Sequence, residues 1–247
     1  MTALVAAEVL KLRTTRGPYA FAFIAVALTG AAVAGTIASA RELERRELSW
    51  QLDLVSTAGF ASLVALMLGV TLVTTEWRHG TITPAFLTTP VRPLLVGAKT
   101  VTAAIVGAVL TLLCFVVVAA VAIPWLTVLD VPLELGGDTL GRATRILLAG
   151  ALYGAFGAAV GVLVHSQVVG IVGVIVWILV VESLVTVLLG VLDVEGIADV
   201  LPGRALSAFD GSVDDGLEAW TGGLVALLWT LGVLAAGTVR TERSDVT

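Results

Sequence analysis

The run GIVGVIVWILVV, residues 170–181, contains no charged side chain and no alternation of polar with apolar residues. A strand crossing a bilayer alternates over about ten residues, so a segment apolar on every side points to a helix in lipid. This run is the centre of a longer apolar stretch, residues 168–191. Five more stretches of the same kind precede or follow it, at residues 18–40, 54–75, 101–125, 146–164 and 217–239. Each is close to the roughly 20 residues that a helix needs to cross the hydrocarbon. The expected fold is therefore an all-α membrane protein with six transmembrane helices.

Composition agrees. Of the 247 residues, 58% are hydrophobic and 13% charged, and the mean hydropathy is +1.03, far outside the usage of soluble domains. The six stretches leave little chain for anything else, so residues 1–247 read as a single transmembrane domain. A charged segment, EVLKLRTTR, precedes the first stretch, and that stretch is long enough to span. It is expected to stay as a helix rather than be removed as a leader.

Six spans place both termini on one side. If that side is cytoplasmic, the inner segments hold Lys11, Arg13, Arg16, Arg78, Arg92, Lys99, Arg240 and Arg243, and the outer ones hold Arg41, Arg45, Arg46, Arg142, Arg145 and Arg204. Eight against six follows the positive-inside bias. In RELERREL, Arg41 with Glu44 and Glu42 with Arg45 or Arg46 have the spacing of helical ion pairs, which suggests a solvated extension of the first span.

The segments between the spans carry most of the remaining information. In residues 1–17, Leu4, Val5, Val9 and Leu12 share one helix face, bordered by Lys11, Arg13 and Arg16. Such a basic amphipathic helix is expected to lie in the membrane interface, ending at Gly17 and Pro18. The loop of residues 76–98 contains EWRHGTITPAFLTTPVRP. Gly80 permits a sharp turn, Thr83 suits an N-cap ahead of Pro84, and Pro90 and Pro93 limit the length. A helix of one or two turns results, showing Phe86 and Leu87 between Arg78 and Arg92. It is too short to span and too polar to sink, and it suits docking into a groove on another protein, with apolar anchors for affinity and charges for register.

Gly150, Gly154, Gly157 and Gly161 fall on one face of the fourth span and allow close helix approach, either within the chain or between copies. Glu182 stands alone in an apolar span, where a carboxylate serves proton or substrate chemistry or else is held by a structural partner. His165 belongs to a short inner loop and reads as a contact residue. Residues 192–216 are expected to form short outer helices interrupted at Pro202 and Gly203, with Arg204 pairing with Asp199 or Asp210. The single cysteine, Cys114, allows no internal disulfide and reads as a small packed side chain. His79 and His165 do not reproduce a zinc-binding pair on adjacent turns. PLLVGAKT lacks the glycines of a phosphate-binding loop at Pro93 and Ala98, and no basic patch suits nucleic acid.

The segments EVLKLRTTRGPY, EWRHGTITPAFLTTPVRPLLVGAK and VVESLVTVLLG followed by LPGRALSAF, with the short inner loop after a Gly-rich fourth span, resemble the permease subunits of bacterial ATP-binding-cassette exporters of the type-two export class. The likeness extends over nearly the whole chain, and the E-x-R-x-G-T block with its following T-P is its most distinctive part. One departure is His165, where many such permeases carry arginine. The resemblance implies a permease pair in the bacterial cytoplasmic membrane, with two separate ATPase subunits that bind ATP and Mg at the inner face. It makes residues 1–17 the elbow helix and residues 81–89 the coupling helix, with Thr81, Thr83, Pro84, Phe86 and Leu87 in the ATPase cleft. Glu76 and Arg78 brace the second span in this reading, and the chain itself is not an enzyme. The apolar pathway suits a hydrophobic or amphipathic drug, peptide or lipid-like cargo. Two other classes fit the residues alone: a secondary transporter or channel using Glu182, and a non-transporting sensor or assembly component.

Overall fold

The computed structural model describes residues 1–243 except Pro90, Asp193, Glu195, Asp214 and Asp215, and it places the side chains of those described residues other than Phe86 and Thr88. Among the described residues the chain is helical with no strand. Six helices are long and apolar enough to cross a membrane, which makes this a multi-pass membrane protein.

Helix α1 (Thr2–Thr14) precedes α2 (Gly17–Ser39), the first span. Pro18 sits in the first turn of α2, where its missing N–H has no partner to lose. The second span joins α3 (Leu48–Ser56) to α4 (Phe60–Arg78) through a 3-10 turn, Thr57–Gly59. After the short α5 (Ile82–Thr88), the third and fourth spans are α6 (Arg92–Val128) and α7 (Gly137–Val164). Both begin about nine residues before the expected hydrocarbon boundary, because a helix continues into the polar zone once its core-facing residues are anchored. The fifth span comprises α8 (Gln167–Val176), a π-helical turn (Trp177–Val181) and α9 (Glu182–Val191). Helix α10 (Pro202–Asp210) leads to the sixth span, α11 (Ala219–Arg243).

The second and fourth spans are buried for most of their length, and the other four are mostly exposed on their outer faces. The glycine row of α7 explains this arrangement. A Cβ on Gly157 would lie 2.1 Å from the Leu66 carbonyl of α4, and one on Gly154 would lie 2.4 Å from the Ala103 carbonyl of α6. Gly69 of α4 answers Gly154, and Gly107 of α6 answers Gly150, each at 2.2 Å from the facing carbonyl. Backbone therefore packs on backbone, and the row serves contacts within the chain. Of the two uses the glycine spacing allows, the close approaches are intramolecular.

Two local expectations are corrected. RELERREL does not extend the first span: α2 stops at Ser39 and Ala40 is extended. Arg45 instead donates to the carbonyls of Ile37 and Ala40 at 3.0 and 2.6 Å, where a cation satisfies the unpaired last turn, and Arg46 donates to the Asp130 carbonyl. The break expected at Pro202 and Gly203 lies at Leu201, between a 3-10 turn, Ala198–Val200, and α10, which Pro202 starts, since a first-turn proline costs no helical hydrogen bond.

Candidate functional site

Helix α1, the last turn of α11 and the connections between α4 and α6 and between α7 and α8 gather at one end of the bundle. The sequence places Glu8 on the same stripe of α1 as Leu4, Val5, Val9 and Leu12; those four are half-buried and Glu8 is buried. Its carboxylate meets Lys99 of α6 at 3.1 Å and Lys11, one turn on, at 2.6 Å. The same two ammoniums reach Glu76 of α4, Lys99 at 2.7 Å and Lys11 at 2.8 Å. Two carboxylates and two ammoniums thus alternate around a neutral cluster that ties α1, α4 and α6 together. Lys99 is 1% exposed, and an unpaired charge so deep would be untenable. The Lys11 side chain is half exposed. Burial opposes its charge, but hydrogen bonds to Glu76 and Glu8 outweigh that and raise its pKa. The second oxygen of Glu76 is buried without a hydrogen-bond partner.

From this cluster α4 runs two residues further to Arg78, which is exposed, and the chain reverses at Gly80 with φ +67°. Helix α5 begins at Ile82 behind Thr81. Thr83 is not the cap; it is exposed inside the first turn, and Pro84 is tolerated there because the first four N–H groups of a helix lack internal partners. Ile82 is 6% exposed and anchors α5 to the body, while Leu87 is 81% exposed. Phe86, expected beside it, lies outside the described side chains.

Arg92, at the start of α6, donates to the Thr241 carbonyl at 2.7 Å and to that of Glu242 at 3.3 Å. Arg240 donates to the Leu163 carbonyl at 2.6 Å. Each guanidinium meets last-turn carbonyls, the favourable end of the helix dipole. His165, left-handed at φ 61°, stacks on Trp77 with centroids 3.8 Å apart and contacts the Thr241 hydroxyl at 3.2 Å. Burial, then the charge of Arg240, lowers the His165 pKa. Arg13 and Arg16 are exposed beside the start of α2.

Glu182 and Arg204 sit apart from this assembly. Glu182 is 3% exposed and accepts from the backbone N–H of Gly203 at 2.9 Å and of Arg204 at 3.0 Å. It serves as an N-terminal cap for α10 supplied from another span. The π-helical turn immediately before it rephases the fifth span. Arg204 pairs with Asp199 at 2.8 Å, one of the two partners its sequence context offered.

The sequence singles out Glu76, Lys11 and the short helix α5 but does not join Glu8 and Lys99 to them. A signal was present: Glu8 interrupts the apolar stripe three residues before Lys11, and Lys99 lies inside an apolar segment. No protein-family model matches the chain, and no curated protein matches it.

Proposed function

We propose that the chain is the transmembrane permease subunit of an ATP-driven exporter in a bacterial cytoplasmic membrane, with both termini cytoplasmic. It works as a pair of permeases with a separate nucleotide-binding subunit that holds ATP and Mg. The observation that carries this reading is α5: a short helix offset from the bundle, anchored by Ile82 and offering Leu87 outward, with the buried Glu8–Lys99–Glu76 cluster at its base. A plain connector needs neither an exposed anchor nor a rigid footing.

In mechanical terms, ATP-driven closure of the motor pushes on α5. The ion cluster passes the displacement to α1, α4 and α6 together, because separating its charges in a low-dielectric site is costly. Coupling arises when one arrangement of these helices fits the closed motor better than the other. The cargo is a hydrophobic or amphipathic drug, peptide or lipid-like molecule.

The test is the ATPase rate of a candidate nucleotide-binding subunit copurified with the protein in lipid. The native chain is expected to associate and to change turnover, and Leu87→Asp, which alters an exposed side chain, is expected to fold normally and lose the effect. Equal modulation by the variant would overturn the docking role of α5.

A further inference from the structure

A cavity of about 800 Å³ opens between α1, the start of α2, α4 and α5, within the size range of small-molecule sites. Its wall is divided by chemistry. Phe21, Leu68 and Leu72 make an apolar part, and Glu8, Lys11 and Glu76 lie along another part. The charges there are sorted by exposure. The carboxylates of Glu8 and Glu76 are 4% and 12% exposed, whereas the Lys11 side chain is 50% exposed. Lys99 reaches both carboxylates but carries one positive charge against two negative ones, so Lys11 completes a neutral cluster and offers the cavity an exposed hydrogen-bond donor. Its ammonium has three donors, of which Glu8 and Glu76 take two. Arg13 and Arg16 follow, exposed, within the next five residues.

We propose that this cavity is a binding site for one anionic membrane phospholipid, with an acyl chain along Phe21, Leu68 and Leu72 and the phosphodiester head at Lys11. An apolar slot ending in an exposed ammonium donor, with the net positive charge of Arg13 near the end of α1 and of Arg16 just before α2, complements an acyl chain joined to an anion. A zwitterionic head brings its own cation towards Lys11, Arg13 and Arg16 and gains less. The proposal goes beyond the transport reading and does not depend on it, since lipid occupancy is measurable with no ATPase present.

The test uses the full chain purified in mild detergent, incubated with phosphatidylglycerol, phosphatidylethanolamine or phosphatidylcholine of identical acyl composition, with retained lipid counted by native mass spectrometry. The native chain is expected to hold one phosphatidylglycerol with at least about tenfold preference over phosphatidylcholine, the size of one charge-assisted contact. Lys11→Gln removes the exposed donor and leaves Glu8 and Glu76 with the single cation of Lys99 between them, and is expected to erase that preference. Ala7→Trp, which projects into the cavity from an exposed position on α1, is expected to abolish retention of all three lipids. Should Lys11→Gln fail to purify as a monodisperse protein, the Ala7→Trp comparison decides alone. Equal retention of the three lipids by the native chain means annular lipid only and overturns the proposal. Undiminished retention by Ala7→Trp overturns it as well.

Discussion

Lys99 shows how one residue sets the character of a whole region. It is almost fully buried and bridges Glu8 and Glu76, so its removal leaves two carboxylates served only by the half-exposed Lys11. Lys99→Ala is expected to lower stability by about 3–5 kcal/mol, the usual cost of breaking a buried pair from one side. Adding Glu8→Gln to it should recover part of the loss. Chemical unfolding of the two variants and of Glu8→Gln alone in detergent gives the coupling, and additive losses would mean that the residues act independently. His165 makes a separate prediction. Protonation would gain a cation–π contact with Trp77, but burial and Arg240 prevail and lower its pKa. The folded state therefore binds fewer protons than the unfolded chain below the ordinary histidine value of 6.5. Stability from this group is present above that value and is lost as pH falls through the lowered folded pKa. His165→Gln is expected to flatten the unfolding temperature of the detergent-solubilised protein between about pH 7 and 5; an unchanged slope would place the titration elsewhere. Glu182, by contrast, has both oxygens occupied by backbone donors, which favours a structural role over proton transfer.

At the scale of elements, α7 is the axis on which α4 and α6 pack. Its glycines bring backbones within contact, so there is no space for a side chain to yield. Gly157→Ala puts a methyl group 2.1 Å from a main-chain oxygen, and only a shift of the whole helix relieves it. A loss of about 1–3 kcal/mol is expected. Gly141→Ala, on the same helix with nothing within 4 Å of the new methyl, should be neutral or slightly stabilising by helix propensity. Thermal unfolding of the pair separates close packing from propensity, and equal effects would refute the packing argument. How far the element was legible also shows here. The spacing of Gly150, Gly154, Gly157 and Gly161 announced a close helix contact, yet the same spacing serves a copy of the chain equally well. Only the positions of Leu66, Ala103 and Thr111 decide between them.

For the whole molecule, the end bearing α1, α5, His165 and Arg240 lies opposite the end bearing Arg46, Gln51 and Gly211. Gln51 donates to the Pro132 carbonyl at 3.0 Å and Arg142 to the Gly211 carbonyl at 2.7 Å, closing the second end as the ion cluster closes the first. Single cysteines at the two ends should therefore label from opposite sides of the membrane. In intact cells, Gly136→Cys is expected to react with an impermeant maleimide, and Leu87→Cys only after permeabilisation. Both positions are exposed, and the native Cys114 is buried and should contribute little background. Reaction of Leu87→Cys in intact cells would reverse the orientation.

The sequence by itself determined that this chain is a bundle of six membrane-crossing helices, since twenty apolar residues in a row have no other stable arrangement in lipid. It also indicated a short helix between the second and third spans, because Gly80 turns the backbone locally and requires no partner, although the helix starts at Ile82 rather than at Pro84. What it did not determine is which charges meet. Glu8, Glu76 and Lys99 are separated by up to 91 residues, and their proximity follows from how α1 and α6 lean on α4. Nor did it reveal that Glu182 caps α10, because that depends on the phase of the π-helical turn and on the approach of another segment. Electrostatic pairing is a property of distances in space, and in this protein those distances are set by tertiary packing, above all by backbone contact along α7.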